Sequence, residues 1–285
     1  MASVRQIARR IRSVENTAKI TKAMSMIAAS KLRKSQDAAT MGRDYANSMS
    51  QMVSNVVSQI SEDDSNHPLM KVRENKSACL LIITPDRGLT GGLISNILRS
   101  SATFLSEQTV PVKVVAVGKK SVAFAKRMNL DLIGDFTGIG DSPTSTDTLP
   151  IADLLIDKFS SGEVDSVHVS YANFVNTTLQ RPTLNQVIPV AIDDSNDKKS
   201  EYIYEPNPNQ VLNELLPRYI QSLVHHAVLE SNASEQSARM VAMNQATDNA
   251  NDMVGDLTLV MNKLRQETIT GDLLDIVGGV SALEA

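Results

Sequence analysis

The first sixty residues carry apolar and small side chains in alternating steps of four and three. The segment from Ser3 to about Ile60 contains no Pro and a single Gly. The steps, called the seam below, land on Ile7, Ile11, Val14, Ala18, Thr21, Ser25, Ala28, Leu32, Ser35, Ala39, Gly42, Ala46, Met49, Val53, Val56 and Ile60. A heptad pattern of this length predicts one long helix that pairs with another as a coiled coil. Its middle is small or polar, so we expect the middle to bury little area.

A second helical pattern runs from Asn209 to about Val277. Pro217 either kinks this helix or marks where its main length begins, and Gly278-Gly279 is expected to stop it. Near its end, Met243, Ala246, Ala250, Met253, Leu257, Val260 and Leu264 step by three and four. A helix on the order of 100 Å long needs a long partner, and the N-terminal helix is the candidate inside the chain. We expect an antiparallel pair, because the domain between them returns the chain.

Between the two helices, short apolar runs alternate with helical segments. Runs typical of strands are Ser77–Thr84, Val112–Val117, Ser166–Phe174 and Leu184–Ile192, and helices are predicted over Leu93–Glu107, Ser121–Met128 and Pro150–Ser160, with a loop at Gly138–Leu149. Such alternation predicts a parallel-rich, Rossmann-like α/β domain. The chain should therefore contain a coiled-coil helix over 1–60, an α/β domain over 68–205 and a second coiled-coil helix over 209–285.

Ile20, Met24 and Ile27 form a second apolar stripe on the N-terminal helix, away from the seam. A two-stranded coil covers only one face of each helix. The stripe is therefore either packed in a core or available to a partner, and the residues alone leave both interpretations open.

Charge is unevenly distributed along the chain. Residues 1–40 contain nine cations against Glu15 and Asp37, so this segment carries +7; because the whole chain is −4, the remainder is −11. Such a segment is typical of a targeting peptide, a nucleic-acid arm or a helix that faces an acidic protein partner. We favour the acidic partner, since the helical pattern continues far beyond a presequence and no aromatic residues are interleaved with the cations.

Composition offers few candidates for chemistry. A single cysteine, Cys79, excludes an internal disulfide and indicates a reducing compartment; within an apolar strand we expect it to be buried and inert. No uninterrupted apolar stretch approaches the ~20 residues needed to span a bilayer. The histidines lack metal-ligand spacing, and the Asp clusters at 63–64 and 193–197 lack calcium-loop spacing. We therefore expect a cytosolic chain with no metal and no cofactor.

One loop is similar to a phosphate-binding element. Pro85–Gly92 (PDRGLTGG) lies between a predicted strand and a predicted helix, where backbone N–H groups can bind phosphate. It matches neither GxGxxG nor the P-loop, and it has no Lys for a β- or γ-phosphate. We favour a structural turn in which Asp86 and Arg87 cap a helix or pair locally. A nucleotide-dependent enzyme is the alternative.

The end of the second helix combines polar and apolar groups. Arg265–Thr270 is polar apart from Ile269, and it precedes Leu273, Leu274, Ile276 and Val277. An exposed apolar end that extends past the start of a partner helix indicates insertion into another molecule. These features favour a protein that acts by mechanical contact.

Four segments together resemble the gamma-subunit family of F-type ATP synthases. They are Ile20–Lys34 (ITKAMSMIAASKLRK), Asp86–Gly92 (DRGLTGG), Ser234–Met243 with Ala246–Ala250, and Arg265–Val277. Two positions depart from the family pattern: Ser25 stands where the signature has an acidic residue, and Thr90 where it often has Cys. The paired-cysteine insertion of chloroplast members is absent, so thiol control of rotation is not expected.

The resemblance implies a non-catalytic rotor shaft of bacterial type, at the cytoplasmic face of the plasma membrane. Its coiled coil would thread a ring of alpha and beta subunits, while the α/β domain would meet the epsilon subunit and the c-subunit ring. Rotation driven by proton (or sodium) flow would be coupled to ATP synthesis in the beta subunits, without cofactor or nucleic acid. The implied contacts with the ring are Met24, Lys22, Lys31, Arg33 and Lys34 at beta lever loops, Arg239, and Arg265, Gln266 and Thr270 near beta catch loops.

Overall fold

The computed structural model describes residues 3–59, 67–191 and 204–283, with side chains through residue 277. Its elements are α1 Val4–Val57, β1 Ala78–Ile83, α2 Leu93–Glu107, β2 Val112–Val117, α3 Lys119–Arg127, β3 Asp131–Phe136, α4 Ser145–Ser160, β4 Ser166–Phe174, β5 Gln180–Ile188 and α5 Pro208–Leu283. Ile60, Ile192 and the Asp clusters at 63–64 and 193–197 lie outside the described residues. Within the described ranges, no helix has the length and hydropathy that crossing a bilayer requires.

The five strands form one sheet in the order β3-β2-β1-β4-β5. The first four strands pair in parallel, and β5 adds an antiparallel edge to β4. The central strand β1 is buried along its whole length. Leu80 and Ile82 face a core formed with α2 and α3, while Leu81 faces a second core with α4 and the first half of α5. The prediction of a parallel-rich, Rossmann-like α/β domain is confirmed.

Strand β3 was missed by the sequence pattern. Its segment, DLIGDF, has no continuous apolar run, and a glycine interrupts it. The structure explains this glycine, because a Cβ at Gly134 would lie 2.6 Å from Leu154 Cδ2 on α4. The strand is thus an edge strand on which a helix packs closely, and neither property leaves a strong local signal.

The starts of α4 and β5 differ from the predictions. Helix α4 begins at Ser145, inside the predicted loop, because Thr144 and Asp147 cap its first turn: Asp147 Oδ2 accepts hydrogen bonds from Thr144 N–H and Oγ1 at 2.8 and 2.7 Å. Pro150 therefore lies within the helix and does not start it. Strand β5 begins at Gln180, four residues before the predicted run, because an edge strand beside β4 tolerates polar residues and Pro182.

The predicted ends of the second long helix are also corrected. Helix α5 already begins at Pro208, so Pro217 lies inside it and is not the start of its main length. At the other end the helix continues through Gly278 and Gly279 to Leu283. Glycine costs a helix only about 1 kcal/mol relative to Ala, and no Pro follows to prevent continuation.

The chain packs as two compact units, Met1–Ile27 with Met240–Ala285, and Ala28–Arg239. In the first unit Thr21 Oγ1 lies 2.7 Å from Thr247 Oγ1, and Ser25 Oγ donates to Asn244 Oδ1 at 2.5 Å. The later residue on α1, Ser25, pairs with the earlier residue on α5, Asn244, so the two helices are antiparallel as predicted.

The seam predicted on α1 is confirmed in both units. In the first unit the buried seam residues are Ile7, Ala18, Thr21 and Ser25; in the second they are Ala28, Leu32, Ser35, Ala39, Ala46, Met49, Val53 and Val56. At Gly42, a Cβ would approach Leu229 Cδ1 on α5 to 2.9 Å. Absence of a side chain at this position therefore permits close approach of the two helices.

The seam predicted near the end of α5 needs one correction. Met243 and Ala250 are buried, but Met253 and Val260 are each 48% exposed. The inward positions step by four and then three: Met243, Thr247, Ala250, Val254, Leu257, Met261 and Leu264. At every second step the predicted residue (Ala246, Met253 or Val260) is the chain neighbour of the inward one. Its apolar side chain lies beside the contact between the two helices and not in it.

Candidate functional site

The second apolar stripe on α1 lies at the surface of the first unit. Ile20 is 61% exposed and Ile27 is 56% exposed, whereas Met24 between them is partly buried. Lys22 is exposed beside them. Of the two interpretations of this stripe, core packing therefore does not apply to its isoleucines. The stripe presents large apolar side chains to solvent, next to a cation.

The end of α5 extends beyond its partner helix within the same unit. Since Thr21 lies opposite Thr247 in an antiparallel pair, Val4 at the start of α1 falls opposite Leu264. Every residue from Arg265 to Val277 is exposed except the partly buried Gly271. Ile269, Leu273, Leu274, Ile276 and Val277 are each more than half exposed. The tip is thus a single helix with apolar side chains in solvent, and it includes Arg265, Gln266 and Thr270 of the predicted set.

The three basic residues at positions 31–34 do not share one environment. Arg33 and Lys34 are exposed. Lys31 is half-buried, and its Nζ lies 2.5 Å from Asp141 Oδ2 in the loop after β3. An acidic group from the same chain therefore already contacts one member of the predicted basic surface.

Arg239 likewise has partners within its own unit. Its guanidinium donates to Glu235 Oε1 at 2.8 Å and to the Gly88 carbonyl at 3.4 Å. Burial raises the pKa of Glu235, and the adjacent Arg239 opposes that rise. The signature segment that begins at Ser234 thus contacts the chain's own Pro85–Gly92 loop.

The Pro85–Gly92 loop is organised by a carboxylate. Asp86 Oδ1 accepts the Lys119 N–H at 2.8 Å, at the start of α3, and Asp86 Oδ2 accepts the Gly138 N–H at 3.0 Å. Asp86 therefore has a structural role, but the helix whose first N–H it binds is α3, 33 residues further along the chain, and not α2, which follows its own loop. A side-chain carboxylate therefore lies at the N-terminus of α3, a position that favours negative charge.

A cavity of about 260 Å³ lies above the carboxyl ends of β1 and β2. Asp86, Asp141 and Glu235 line it together with a single cation, Arg87, and α5 forms one wall through Val228 and Asn232. Three carboxylates disfavour a phosphate group at this position. In the part of the chain that the structure describes, no three His, Cys, Asp or Glu side chains are grouped to bind a metal. The geometry gives no support to a nucleotide site on this loop.

Comparison with known proteins relates the whole chain to one family. The family model described as ATP synthase matches residues 3–283. The ATP synthase gamma chain of Dehalococcoides mccartyi is 50% identical over 284 residues, covering 99% of this chain and 100% of that protein. The gamma chain of Chloroflexus aurantiacus is 43% identical, covering 99% of each. The chain belongs to the ATP synthase gamma-chain family.

Solved structures support the gamma-chain fold. A chain of the central stalk and c-ring of the Tetrahymena thermophila mitochondrial ATP synthase is 26% identical, with a TM-score of 0.61, and the match covers 80% of this chain and 99% of that one. A chain of the Euglena gracilis OSCP/F1/c-ring structure has a TM-score of 0.68 at 17% identity, covering 98% of this chain and 94% of that one. The second similarity concerns the fold alone.

Sequence reasoning missed a buried polar segment in this gamma-chain family member. On α5 the buried polar residues are Glu230, Ser231, Asn232, Ser234, Gln236 and Ser237. In the sequence, polar residues at such positions indicate a solvated helix face. These residues are buried because they pack against the end of the sheet. The order of polar and apolar residues along the chain does not reveal that contact.

Proposed function

We propose that this chain is the central rotor shaft of an F-type ATP synthase and does not itself catalyse a reaction. It turns inside a ring of alternating alpha and beta subunits. Its rotation couples transmembrane proton (or sodium) flow to ATP formation in the beta subunits. The observation that carries the proposal is the antiparallel coil whose α5 end continues past the start of α1 with exposed apolar side chains, in a member of the gamma-chain family.

The mechanism follows from the asymmetry of a two-helix shaft. The stripe of Ile20, Met24 and Ile27 lies on one side of α1, and exposed polar residues lie on others. Three catalytic sites around such a shaft meet different faces at any moment, so each is biased toward a different conformation. Rotation exchanges these faces in turn.

Specific contacts with the ring belong to the same proposal. Met24 with Lys22, Arg33 and Lys34 faces the acidic lever loops of the beta subunits, since an exposed apolar stripe beside cations complements an acidic surface. Lys31 and Arg239 contact the ring while Asp141 and Glu235 orient them. Three residues of the exposed tip bind near the catch loops: Arg265, Gln266 and Thr270.

The same proposal includes the place of each part of the chain in the complete ATP synthase. The α/β domain, residues 68–205, serves as a foot that meets the epsilon subunit and the c-subunit ring, whereas 1–60 and 209–285 form the shaft. The complex would place the chain peripherally at the cytoplasmic face of a bacterial plasma membrane. Support comes from the solved structures it resembles, which are of F1, the central stalk and the c-ring of ATP synthases.

Reconstitution tests this function. The purified chain is combined with alpha and beta subunits, and ATP hydrolysis is compared with that of the alpha and beta subunits alone. We expect a stable complex with increased hydrolysis, and rotation of a bead fixed to the α/β domain. Failure to assemble would contradict the proposal. Nucleotide binding by the isolated chain would favour an enzyme, and steeply salt-dependent DNA affinity would favour a nucleic-acid-binding protein.

A further inference from the structure

The crevice that a sheet of this type uses for ligands contains a helix of the same chain. In doubly wound folds, ligands bind outside the carboxyl ends of the strands where the strand order reverses. Here β2 lies on one side of β1 and β4 on the other, so the reversal falls between β1 and β4. Helix α5 crosses these strand ends: it lines the cavity above β1 and β2 and bonds to the end of β4.

Three side chains on one face of α5 contact the end of β4 and the turn that follows it. Glu230, Ser234 and Ser237, called the polar stripe, are spaced by four and three residues and therefore share a face. Ser234 Oγ donates to the Ala172 carbonyl at 2.9 Å, and Ser237 Oγ donates to the Thr177 carbonyl at 2.7 Å. Glu230 Oε2 accepts the Phe174 N–H at 2.8 Å. All three bonds end on the backbone of one short segment.

Glu230 also reaches the other long helix. Its Oε1 accepts hydrogen bonds from Arg43 Nε, at 3.2 Å, and from Arg43 Nη2. The Glu230 side chain is 1% exposed, while that of Arg43 is 49% exposed. His226 Nε2 lies 3.6 Å from the same oxygen, and burial lowers the pKa of His226, although Glu230 opposes that change. One buried carboxylate thus connects α1, α5 and the end of β4.

A second pair of bonds fixes the adjacent face of α5. Asn232 Nδ2 donates to the Asp141 carbonyl at 2.7 Å, and Gln236 Nε2 donates to Asp141 Oδ1 at 3.3 Å. Lys31 on α1 binds the other oxygen of the same carboxylate. Helix α5 is therefore bonded both to the end of β4 and to the loop after β3, on two faces of one helical segment.

Bonds of this kind resist rotation and sliding in a way that apolar packing does not. Apolar side chains lose little when a helix shifts slightly, because their contacts have no preferred direction. A turn of α5 about its axis would remove the partners of a buried carboxylate and leave the Ala172 carbonyl unpaired, and both are costly in a dry interior. The segment therefore specifies one register between helix and sheet.

We propose that the polar stripe is the joint that transmits torque between the α/β domain and the long helices, with Glu230 as its positioning residue. The proposal rests on the function as a rotor shaft. A shaft needs a connection that does not shift under load. The bonds between α5 and the carboxyl ends of the strands supply such a connection. The buried side chains of the segment that begins at Ser234 then attach α5 to the α/β domain. This role does not depend on what the exposed residues of the segment contact.

The test uses the complete ATP synthase in membrane vesicles, with the variants Glu230→Gln and Ser234→Ala/Ser237→Ala. Glu214→Gln is the matched control, because Glu214 is an exposed carboxylate on the same helix. ATP hydrolysis and ATP-driven ion pumping are measured together. Angular fluctuation of a bead on the α/β domain is recorded while the beta subunits are fixed, and hydrogen exchange of the Phe174 amide is followed.

For Glu230→Gln we expect wider angular fluctuation, fewer ions pumped per ATP hydrolysed and about tenfold faster exchange of the Phe174 amide, as loss of a charge-assisted hydrogen bond predicts. Glu214→Gln should match the wild type. Unchanged fluctuation and pumping in both test variants would refute the role of the polar stripe in torque transmission, but would leave the proposed function as a rotor shaft intact. Absence of pumping in the wild type would instead refute the shaft function.

If Glu230→Gln does not assemble, Arg43→Gln tests the same joint from its half-exposed side. Loss of the Arg43 charge leaves the Glu230 carboxylate with the Phe174 N–H and the neighbouring His226 ring, and should also widen the fluctuation. Wild-type fluctuation in Arg43→Gln, with Glu230→Gln unassembled, would show that Glu230 is needed for folding and not for torque, and would count against the proposal.

Discussion

Met24 lies at the boundary between the buried coil and the exposed stripe. Its neighbours on the stripe, Ile20 and Ile27, are more than half exposed, while Ser25 beside it bonds to Asn244 on α5. A side chain at such a boundary can contact a partner without losing its orientation, because the helix beneath it is fixed. Substitutions here should change contacts with the ring more than they change folding.

Met24→Lys should reduce coupling between ATP hydrolysis and ion pumping. An added cation facing an acidic lever loop would form an extra ion pair worth about 1–2 kcal/mol, which holds the shaft about ten times longer in one position. Hydrolysis and pumping by the reconstituted complex measure this effect. Ser30→Lys is the control, since Ser30 is exposed six residues away on a different face of α1. Normal coupling in Met24→Lys would count against the proposed position of Met24.

Cys79 should be unreactive in the folded protein. It is buried in β1, and burial raises the pKa of its thiol to about 12. Since the thiolate is the reactive form, alkylation at about pH 8 should be very slow until the chain unfolds. Mass spectrometry after iodoacetamide treatment, with and without guanidinium chloride, measures the difference. Rapid labelling of the native chain would show that β1 opens readily.

At the scale of elements, close approach between backbones is decided by single glycines. Gly118, which follows β2, has φ +91, and a Cβ there would lie 1.9 Å from the Thr84 carbonyl oxygen. This proximity lets Thr84 Oγ1 accept the Ser121 N–H at 2.8 Å and join the end of β1 to the start of α3. Gly88, in the neighbouring loop, has nothing within 4 Å of its Cβ position.

Gly118→Ala should therefore destabilise the chain by more than about 3 kcal/mol, because both the clash and the backbone conformation are unfavourable. Gly88→Ala should stay within about 0.5 kcal/mol of the wild type. Urea unfolding followed by circular dichroism gives both values. Equal stabilities of the two variants would mean that the β1 and β2 ends are not packed as described.

At the scale of the whole molecule, the histidines make stability depend on pH. Burial lowers the pKa of His67, His168, His225 and His226 from the ordinary value of 6.5. The unfolded chain therefore binds more protons than the folded chain in mildly acidic solution. The stability present above pH 6.5 is lost as the pH falls through the lowered folded-state values. Glu235 opposes this trend, since its raised pKa favours proton uptake by the folded chain.

The midpoint of thermal unfolding should thus fall as the pH is lowered from about 7 to about 5. His225→Gln should make the decline shallower, because glutamine does not titrate and can still bond to Thr148, which lies 3.1 Å from His225 Nδ1. Differential scanning calorimetry across this range measures both slopes. A midpoint that is constant with pH in the wild type would contradict the buried, neutral state of these rings.

Periodicity by itself determined much of this molecule. The steps of four and three on α1 predict its inward side from Ile7 to Val56, where every seam residue is buried or partly buried, because a helix places such positions on one face whatever surrounds it. The same holds for β1, whose continuous apolar run requires burial on both faces. The exposed tip from Arg265 to Val277 was also predicted from helix length, because α5 extends past the start of α1.

Tertiary structure alone decided the rest. Edge strand β3 and the shifted seam at Val254 and Met261 depend on which neighbours are present, and local sequence does not contain that information. The clearest case is the segment around Glu230: its polar residues suit water equally well, and only the approach of β4 and Arg43 makes them buried partners. Burial of a charge is a property of the assembled fold, because its cost depends on groups that are distant in sequence.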